Sequence, residues 1–315
     1  MKPNAKAYDM IIVGGGPAGL TAAVYAARKM LNVLLLTQNI GGQALYSLDV
    51  ENYMGYQFIS GQDLMIRFQT QVEQYHVETI LAAVKAVNKT QDAFVAQTET
   101  GGEYLAKTII VTTGKKSRTL NAKGVERLVG RGVSYCATCD APLFADTDVA
   151  VLGGGNSALT AAYELMSIAR KVYLVNRSPL RADEVYLEKI RDAANVEQLV
   201  GYELAEVQGG DTVNAVVLRN VSDSSSITLP VAGIFIEIGL IPNSDVVRDL
   251  VALNEIGEIT VSSDCSTNVP GVYAAGDVTN VPEKQIIVAA GEGAKAAISA
   301  YKYLLKGAQH AVVGY

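Results

Sequence analysis

The sequence predicts an α/β fold built from two units of the same kind. Two short apolar runs, Tyr8–Val13 and Val149–Leu152, each lead into a glycine-rich turn and then into an alanine-rich stretch. A short apolar run rich in β-branched residues is typical of a buried parallel strand. A strand, a glycine-rich turn and a helix in succession are typical of a Rossmann-like dinucleotide-binding unit. The pattern occurs twice in 315 residues, a length comfortable for two domains, so we expect two Rossmann-like units.

Composition excludes several classes of protein. Hydrophobic residues make up 49% of the chain and charged residues 18%, which allows packed cores and argues against a disordered chain. A net charge of −6 without a basic stripe argues against a nucleic-acid partner. Residues 1–8 show no signal-peptide pattern, and no apolar run is long enough to span a bilayer. We therefore expect a cytoplasmic protein with no membrane partner.

The first glycine-rich turn contains the G-x-G-x-x-G pattern as Gly14, Gly16 and Gly19. In such a turn the glycines permit a tight bend, close approach of a pyrophosphate and close contact between helix and strand, while the helix N-terminus binds the phosphates. The next strand ends in Thr37-Gln38, where an acidic residue would normally bind a ribose. How an adenosine is held there stays open.

The second turn, Gly153–Ala158, has alanine at the third glycine position, which the pattern tolerates. The strand after it ends in Asn176 and Arg177, with Arg181 close behind and no acidic residue at the ribose position. Arginine suits a 2′-phosphate through paired donors, so the sequence favours NADPH over NADH. The alternative is that both arginines are ordinary surface residues.

Between the two turns, Cys136 and Cys139 form a C-x-x-C pair. In a chain rich in βαβ patterns, this spacing indicates first a redox-active dithiol and second half of a metal site. A metal site needs two more ligands at regular spacing, and the remaining candidates are scattered, namely Cys265, His76 and His310. A structural disulfide closing so short a loop would constrain the unfolded chain little. We therefore favour redox chemistry and expect no metal.

Asp140 follows the second cysteine directly. A carboxyl group there would serve as a general acid or base for an attacking or departing thiol. Its alternative role is a helix-capping or solvated carboxylate. An alternative for the whole chain is a nucleotide-sensing module that reports redox state through the cysteine pair.

The order of these motifs resembles that of the low-molecular-weight thioredoxin reductases over nearly the whole chain, and the late Ala275-Gly276-Asp277 belongs to the same series. Other passages are similar to the flavoprotein component of alkyl hydroperoxide reductase, without its N-terminal thioredoxin-like region; they are Glu51–Tyr53, Gly130–Tyr135, Lys284–Ile287 and Gly293–Lys295. Because that region does not precede the first strand here, we expect electrons to pass to a separate protein.

The resemblance implies a discontinuous FAD domain, residues 1–115 and 245–315, with a pyridine-nucleotide domain, residues 116–244, inserted and carrying the cysteines. It implies a homodimer and a thioredoxin or thioredoxin-like partner. The implied FAD contacts are Gly14, Gly16, Ala18, Gly19, Gln43, Asn52, Asp277 and Gln285. The implied NADPH contacts are Gly154, Asn156, Ser157, Arg177 and Arg181. The implied catalytic residues are Cys136, Cys139 and Asp140.

In the implied cycle, electrons pass from NADPH through FAD to the Cys136–Cys139 disulfide, and the smaller domain rotates to present the dithiol to its partner. Hinges are expected at Lys115–Arg118 and at the Pro242-Asn243 turn. The family's NADPH enzymes carry His-Arg-Arg where this chain has Asn176-Arg177-Ser178. NADH or ferredoxin as donor, and a hydroperoxide-reductase-type flavoprotein serving a separate redox protein, therefore stay open as alternatives.

Overall fold

A computed structural model describes residues 7–47, 50–91, 93–118, 120, 122–182, 184–191 and 193–312, with the side chains at 46, 117, 185 and 307–312 excepted. The chain divides into two compact units. Unit 1 consists of Met1–Leu45, Tyr53–Lys116 and Ile241–Tyr315. Unit 2 consists of Tyr46–Asn52 and Ser117–Leu240.

The strands are β1 (Ala7–Gly15), β2 (Val33–Ile40), β3 (Glu78–Leu81), β4 (Val84–Lys89), β5 (Phe94–Thr98), β6 (Glu103–Val111), β7 (Lys115–Ser117), β8 (Val133–Ser134), β9 (Asp148–Leu152), β10 (Lys171–Asn176), β11 (Val196–Val200), β12 (Tyr202–Gly209), β13 (Val213–Asn220), β14 (Ser226–Pro230), β15 (Gly233–Ile236), β16 (Leu240–Pro242) and β17 (Val272–Ala274). The α-helices are α1 (Pro17–Ala27), α2 (Gly61–Gln74), α3 (Val125–Leu128), α4 (Ala137–Asp140), α5 (Asn156–Leu165), α6 (Glu184–Arg191) and α7 (Ile286–Val312).

Unit 1 is built on a seven-stranded sheet in the order β3-β2-β1-β6-β5-β4, with β17 also paired to β6. Strands β3, β2, β1 and β6 run parallel to one another, and β17 runs parallel to β6. Strand β5 is antiparallel to β6, and β4 is antiparallel to β5. The central residues of β1 and β6, such as Ile11 and Ile109, are fully buried, as expected for parallel strands covered on both faces. Helices α1 and α7 approach so closely that a Cβ at Gly293 would lie 2.0 Å from the Ala18 carbonyl oxygen.

Unit 2 contains a five-stranded parallel sheet in the order β11-β10-β9-β15-β8 and a three-stranded antiparallel sheet, β12-β13-β14. From β9 the chain moves outward through β10 and β11, then returns to the other side of β9 through β15. Ligands of open α/β sheets bind beyond the carboxyl ends of the strands at such a reversal. In unit 1 the corresponding reversal lies between β1 and β6. The predicted α/β fold with parallel-sheet, Rossmann-like units is confirmed.

Some element bounds differ from the sequence prediction. Lys115–Ser117, within the segment expected as one hinge, pairs with Leu240–Pro242, which leads into the expected Pro242-Asn243 turn, and the two form a two-stranded sheet. Helix α7 begins at Ile286 and contains Gly291 and Gly293, and tight packing against Ala18 requires glycine at position 293. Within the described residues, no helix is long and apolar enough to cross a membrane.

Candidate active site and cofactor sites

The cysteine pair lies at the carboxyl end of edge strand β8. Cys136 and Cys139 form a disulfide with 5.3 Å between their Cα atoms. Cys136 is the N-cap residue of α4, and its Sγ accepts a hydrogen bond of 3.2 Å from the Cys139 N–H. The structure therefore brings the two predicted redox residues together as one oxidised pair.

Ser134, the last residue of β8, connects the cysteines to Asp140. Its hydroxyl donates a hydrogen bond of 2.6 Å to Asp140 Oδ2, and its Oγ accepts one of 3.0 Å from the Cys136 N–H. The Asp140 N–H donates to the Cys136 carbonyl at 3.1 Å. A buried hydroxyl thus fixes the carboxylate beside the disulfide. Ser134 was not among the predicted site residues, and its place just before the cysteines was the available signal.

Two further carboxyl groups flank α4 and were also missed. Glu237 directly follows β15, the neighbour of β8, and the Ala137 N–H is directed to its carboxylate. Burial raises the pKa of Glu237 to about 7, and the nearby charge of Glu164 contributes to the rise. On α5, Glu164 accepts a hydrogen bond of 3.2 Å from the Thr138 hydroxyl. A charged residue directly after a run of buried apolar residues was the available signal for Glu237.

The second glycine-rich turn connects β9 to α5 in unit 2. A Cβ at Gly153 would lie 2.4 Å from the Glu237 carbonyl oxygen, and the backbone there has a φ of +147°, so only glycine fits. Arg181 donates its backbone N–H to the Gly154 carbonyl at 2.7 Å. Asn156 and Ser157 form the first turn of α5. The predicted nucleotide contacts Gly154, Asn156, Ser157 and Arg181 therefore share one end of this sheet.

Asn176 ends β10 at the ribose position. It is 4% exposed, its Nδ2 donates to the Ser178 carbonyl, and its Oδ1 is buried with no hydrogen-bond donor among the described residues. A Cβ at Gly154 would lie 3.3 Å from the Asn176 Cβ, so this oxygen belongs to the same cradle. A buried acceptor without a donor is costly unless a ligand satisfies it. The site therefore fits a pyridine nucleotide with a hydroxyl or N–H at this point.

Arg177, predicted to bind a 2′-phosphate, is 74% exposed and has an acidic neighbour. Its Nε lies 3.3 Å from Glu203 Oε2, and the other carboxylate oxygen, Glu203 Oε1, accepts a hydrogen bond of 3.0 Å from Arg219 Nε. The two arginines hold the pKa of Glu203 below its usual value, through the Arg219 hydrogen bond first. A carboxylate therefore lies beside the arginine on which the NADPH prediction rests. No local sequence pattern indicates this contact, because Arg177 directly follows β10 whereas Glu203 lies on β12, further along the chain.

In unit 1 the first glycine-rich turn forms an open cradle. Gly14 has a φ of +113°, and a Cβ there would lie 2.3 Å from the Thr112 carbonyl oxygen; a Cβ at Gly19 would lie 1.9 Å from the Gly14 carbonyl oxygen. Gly16 differs, since an added Cβ would have no heavy atom within 4 Å. The turn is thus tightly packed on its protein side and open in front of the α1 N-terminus, which fits the pyrophosphate of FAD.

Thr37 stands where an acidic residue would bind a ribose. It is buried, its hydroxyl donates to the Asn39 carbonyl at 2.6 Å, and a Cβ at Gly15 would lie 2.7 Å from its Oγ1. Asn39 Oδ1 in turn accepts the Gly42 N–H at 3.1 Å. The hydroxyl of Thr37 therefore orders the loop rather than pointing outward.

Two predicted FAD contacts lie on exposed segments. Gln43 is exposed in the short 3₁₀ helix Gly42–Tyr46. Asn52 is exposed and belongs to the segment Tyr46–Asn52, which clusters with unit 2. Within unit 1 the structure therefore brings Gln43, but not Asn52, into the same compact body as the first glycine-rich turn.

Asp277 and Gln285 lie near the start of α1 and α7. A Cβ at Gly276 would lie 3.1 Å from the Ala18 Cβ, and the Gln285 carbonyl accepts the Ala289 N–H at 2.9 Å as α7 begins. Burial raises the pKa of Asp277, while the charges of Lys284 and Lys115 act in the opposite direction. The structure thus gathers Ala18 and Asp277 at one end of unit 1.

Beside Asp277 lies a buried group of charges. Glu258 forms salt bridges of 2.7 Å with Lys115 and 3.1 Å with Lys284. The side chain of Lys115 is 10% exposed. Burial lowers the pKa of Lys284, and Lys115 adds to that effect. Lys115, in the polar run expected as a hinge, is therefore held by a buried carboxylate within unit 1.

The other candidates from the sequence are structural or solvated. Cys265 is buried with a left-handed backbone, and burial raises the pKa of its thiol to about 11. His76 is exposed just past the end of α2, and the side chain of His310 lies outside the described residues. No group of three or more potential metal ligands occurs among the residues that the structure describes.

Comparisons with known proteins show the family to which the chain belongs. A family model described as pyridine nucleotide-disulphide oxidoreductase matches residues 8–293. The F subunit of alkyl hydroperoxide reductase of Escherichia coli (strain K12) is 42% identical over 95% of this chain and 59% of its own length. The Staphylococcus aureus (strain Mu50) protein of the same name is 39% identical over 96% of this chain and 60% of its own. The chain therefore spans about three fifths of the length of these curated relatives.

Solved structures match over nearly their whole length. Thioredoxin reductase from Streptococcus pyogenes MGAS5005 has a TM-score of 0.91 and 38% identity, covering 96% of this chain and 100% of the other. Thioredoxin reductase from Giardia duodenalis has a TM-score of 0.89 and 31% identity, covering 95% and 99%. The predicted resemblance is confirmed, and these relatives imply FAD and NADPH as cofactors. By sequence, fold and the paired cysteines, the chain belongs to the pyridine nucleotide-disulphide oxidoreductase family.

Proposed function

We propose that the chain is a flavin-dependent disulfide reductase that passes electrons from NADPH through FAD and the Cys136–Cys139 disulfide to thioredoxin or a thioredoxin-like protein. The observation that carries the proposal is the disulfide itself, held beside Ser134 and Asp140 in a unit that has its own dinucleotide cradle. Unit 1 would be the FAD domain and unit 2 the nucleotide-binding domain. We expect the enzyme to act in the cytoplasm as a homodimer.

The cofactor contacts in this proposal are those that the resemblance implies. FAD would be held by Gly14, Gly16, Ala18, Gly19, Gln43, Asn52, Asp277 and Gln285. NADPH would be held by Gly154, Asn156, Ser157, Arg177 and Arg181. Asn176 Oδ1 joins the second set, because it is a buried acceptor in the same cradle. When bound, FAD accepts a hydride from the nicotinamide and supplies an electron pair to the disulfide.

The chain's own residues then carry out thiol–disulfide exchange. The Cys136 thiolate attacks the partner's disulfide, which forms a mixed disulfide and releases one partner sulfur as a thiolate. Cys139 then loses its proton to solvent, and its thiolate attacks Cys136 Sγ, which restores the Cys136–Cys139 disulfide and releases the second partner sulfur. Asp140, fixed by Ser134, delivers a proton to a departing thiolate. Two electrons leave the dithiol and two enter the partner.

A second candidate has NADH as donor and a separate redox protein as acceptor, in the manner of a hydroperoxide-reductase-type flavoprotein. The observation that favours it is the Glu203 carboxylate beside Arg177, since a negative charge there disfavours a 2′-phosphate and leaves a 2′-hydroxyl unaffected.

The test is an anaerobic titration of the FAD-loaded protein with NADPH and, separately, with NADH, following the visible flavin absorbance. The proposal expects full bleaching by about two equivalents of NADPH per chain, one for the flavin and one for the disulfide. The Cys136→Ser/Cys139→Ser double variant serves as the control and should need about one. Bleaching by NADH alone would support the second candidate. Bleaching by neither, in protein that dithionite reduces, would refute both and indicate a donor such as ferredoxin.

A further inference from the structure

A carboxyl group is placed next to the cysteine helix in a position that the proposed cycle does not use. Glu237 directly follows β15, which lies between β9 and β8 in the sheet. Its backbone carbonyl lies against Gly153 in the nucleotide turn. Its carboxylate receives the N–H of Ala137, the residue that links Cys136 to the rest of α4. Glu237 therefore touches both the nucleotide turn and the cysteine helix.

The described groups that act on the ionisation of Glu237 include no cation. They are the Ala137 amide and Glu164 on α5, which is itself acidic. On α4 the titratable groups are Cys139 and Asp140, with Cys136 at the cap, and Asp140 is held by Ser134. Each of these ionisable side chains is thus a carboxyl group or a thiol. A thiolate formed here would meet negative charge rather than the usual lysine, arginine or protonated histidine.

We propose that Glu237 is a positioning residue that holds a proton beside the cysteine helix while Cys136 is a thiolate. The inference rests on the proposed function, since it assumes that Cys136 is the attacking sulfur. When two electrons open the S–S bond, two sulfur anions form. Two protons are taken up from solvent: one converts Cys139 to its thiol and the other neutralises Glu237, so Cys136 stays a thiolate without an adjacent carboxylate charge.

The physical basis is Coulombic. The Glu237 carboxylate accepts the N–H of Ala137, the residue after Cys136, so a charged Glu237 repels a Cys136 thiolate in this partly buried site. A charge of this kind changes the ionisation equilibrium of the Cys136 thiol by about fivefold. A neutral Glu237 removes that repulsion and still accepts the Ala137 N–H through its carbonyl oxygen. Burial, which raises the pKa of Glu237 to about 7, places the change within the pH range in which thiols react.

The experiment measures the rate of Cys136 alkylation by iodoacetamide in reduced, FAD-loaded protein, from about pH 6 to about pH 8, with the modified residue identified by mass spectrometry. The variants are Glu237→Gln, Glu237→Asp and, as a matched control, Glu206→Gln, which removes an acidic residue from β12 that is paired with Lys123. The inference expects Glu237→Gln to match the wild type at the acidic end of this range and to react about fivefold faster at the alkaline end. Glu237→Asp keeps a carboxyl group and should retain the slower reaction at the alkaline end. Glu206→Gln should change neither rate.

A purely structural role would change the rate by the same factor at every pH, or not at all, and either result would overturn the inference. Because alkylation needs neither a nucleotide nor a partner protein, the outcome separates the two proposals. If Cys136 reacts with identical pH profiles in the wild type and in Glu237→Gln, the role of Glu237 is refuted and the proposed function is not. A Cys136 that does not react, while Cys139 does, refutes the assignment of the attacking sulfur and the inference with it.

Discussion

Ser134 donates a hydrogen bond of 2.6 Å to Asp140 and accepts one of 3.0 Å from the amide of Cys136, so a single hydroxyl joins the proposed acid to the proposed nucleophile. Ser134→Ala removes both bonds and leaves the Cys136 amide without that acceptor. A hydrogen bond to a charged group contributes about 1.5–3 kcal/mol, so we expect the rate of disulfide reduction to fall about tenfold or more. Steady-state turnover with a thioredoxin-type substrate measures the effect, with FAD content as a check on folding.

The control for this variant lies in the same unit. Ser225 donates an equally short hydrogen bond of 2.6 Å to Asp223 in an exposed turn, so Ser225→Ala removes the same kind of bond far along the chain from the cysteines. It should leave turnover unchanged. Equal turnover for both variants and the wild type would contradict a role for Ser134 in fixing Asp140.

The Arg177–Glu203 pair predicts how the nucleotide preference responds to charge. Glu203→Gln removes the negative charge beside the proposed phosphate site and should tighten NADPH binding about threefold at low salt, with NADH affinity unchanged. Glu206→Gln, on the same strand, is the matched control and should change neither. Equilibrium binding of both nucleotides at two ionic strengths tests this. An equal change for NADPH and NADH would show that Arg177 does not meet a 2′-phosphate.

The first glycine turn allows folding and FAD binding to be separated. Gly19→Ala places a Cβ 1.9 Å from the Gly14 carbonyl oxygen, and we expect unit 1 to lose its stable fold. The added Cβ of Gly16→Ala meets no protein atom within 4 Å. The free energy of unfolding of the FAD-free variant should therefore lie within about 1 kcal/mol of the wild-type value. Its methyl group would occupy the proposed pyrophosphate space, and FAD affinity should fall at least about tenfold. Wild-type FAD affinity in Gly16→Ala would place the pyrophosphate elsewhere.

The pKa of Glu237 predicts a pH-dependent stability. Its ordinary value is 4.5 and its value in the fold is about 7, so between these pH values the folded protein binds more protons than the unfolded chain. The free energy of unfolding therefore falls as pH rises through this range, by up to about 3 kcal/mol. Glu237→Gln removes this loss, matching the wild type below the ordinary pKa and exceeding its stability above the folded-state pKa. Urea unfolding at several pH values, monitored by circular dichroism, measures the free energy of unfolding of both proteins. If this free energy changed with pH in the same way in the wild type and in Glu237→Gln, the prediction would be wrong.

The parts of the fold that could be predicted are those written in local sequence. Each glycine-rich turn follows a buried strand and precedes a helix, and both Gly14 and Gly153 occupy positions where neighbouring backbone excludes a side chain. The cysteine pair was recognisable because the chemistry of its spacing depends only on consecutive peptide units. In each case the evidence lies within a short stretch of chain.

The parts that could not be predicted depend on distant segments. Glu237 adjoins α4 only because β15 pairs with β8, which lies far back along the chain. Glu203 lies beside Arg177 through a contact that no local pattern encodes. Thr37 carries no acidic group for a ribose, and its hydroxyl is used for the Asn39 carbonyl. The burial of Lys115 could not be predicted either, because its partner Glu258 lies far along the chain.

The discontinuity of unit 1 has a consequence for how the protein is made. The sheet of unit 1 requires β17, paired to β6, and the close packing of α1 needs Gly293 on α7. The five-stranded sheet of unit 2 is complete once β15 has been synthesised. Because domains tend to fold as units during synthesis, unit 2 can fold on the ribosome while β1 and α1, which precede it in the chain, still lack β17 and α7. The FAD cradle would then be translated before unit 2 and become able to bind its cofactor only after unit 2 has folded.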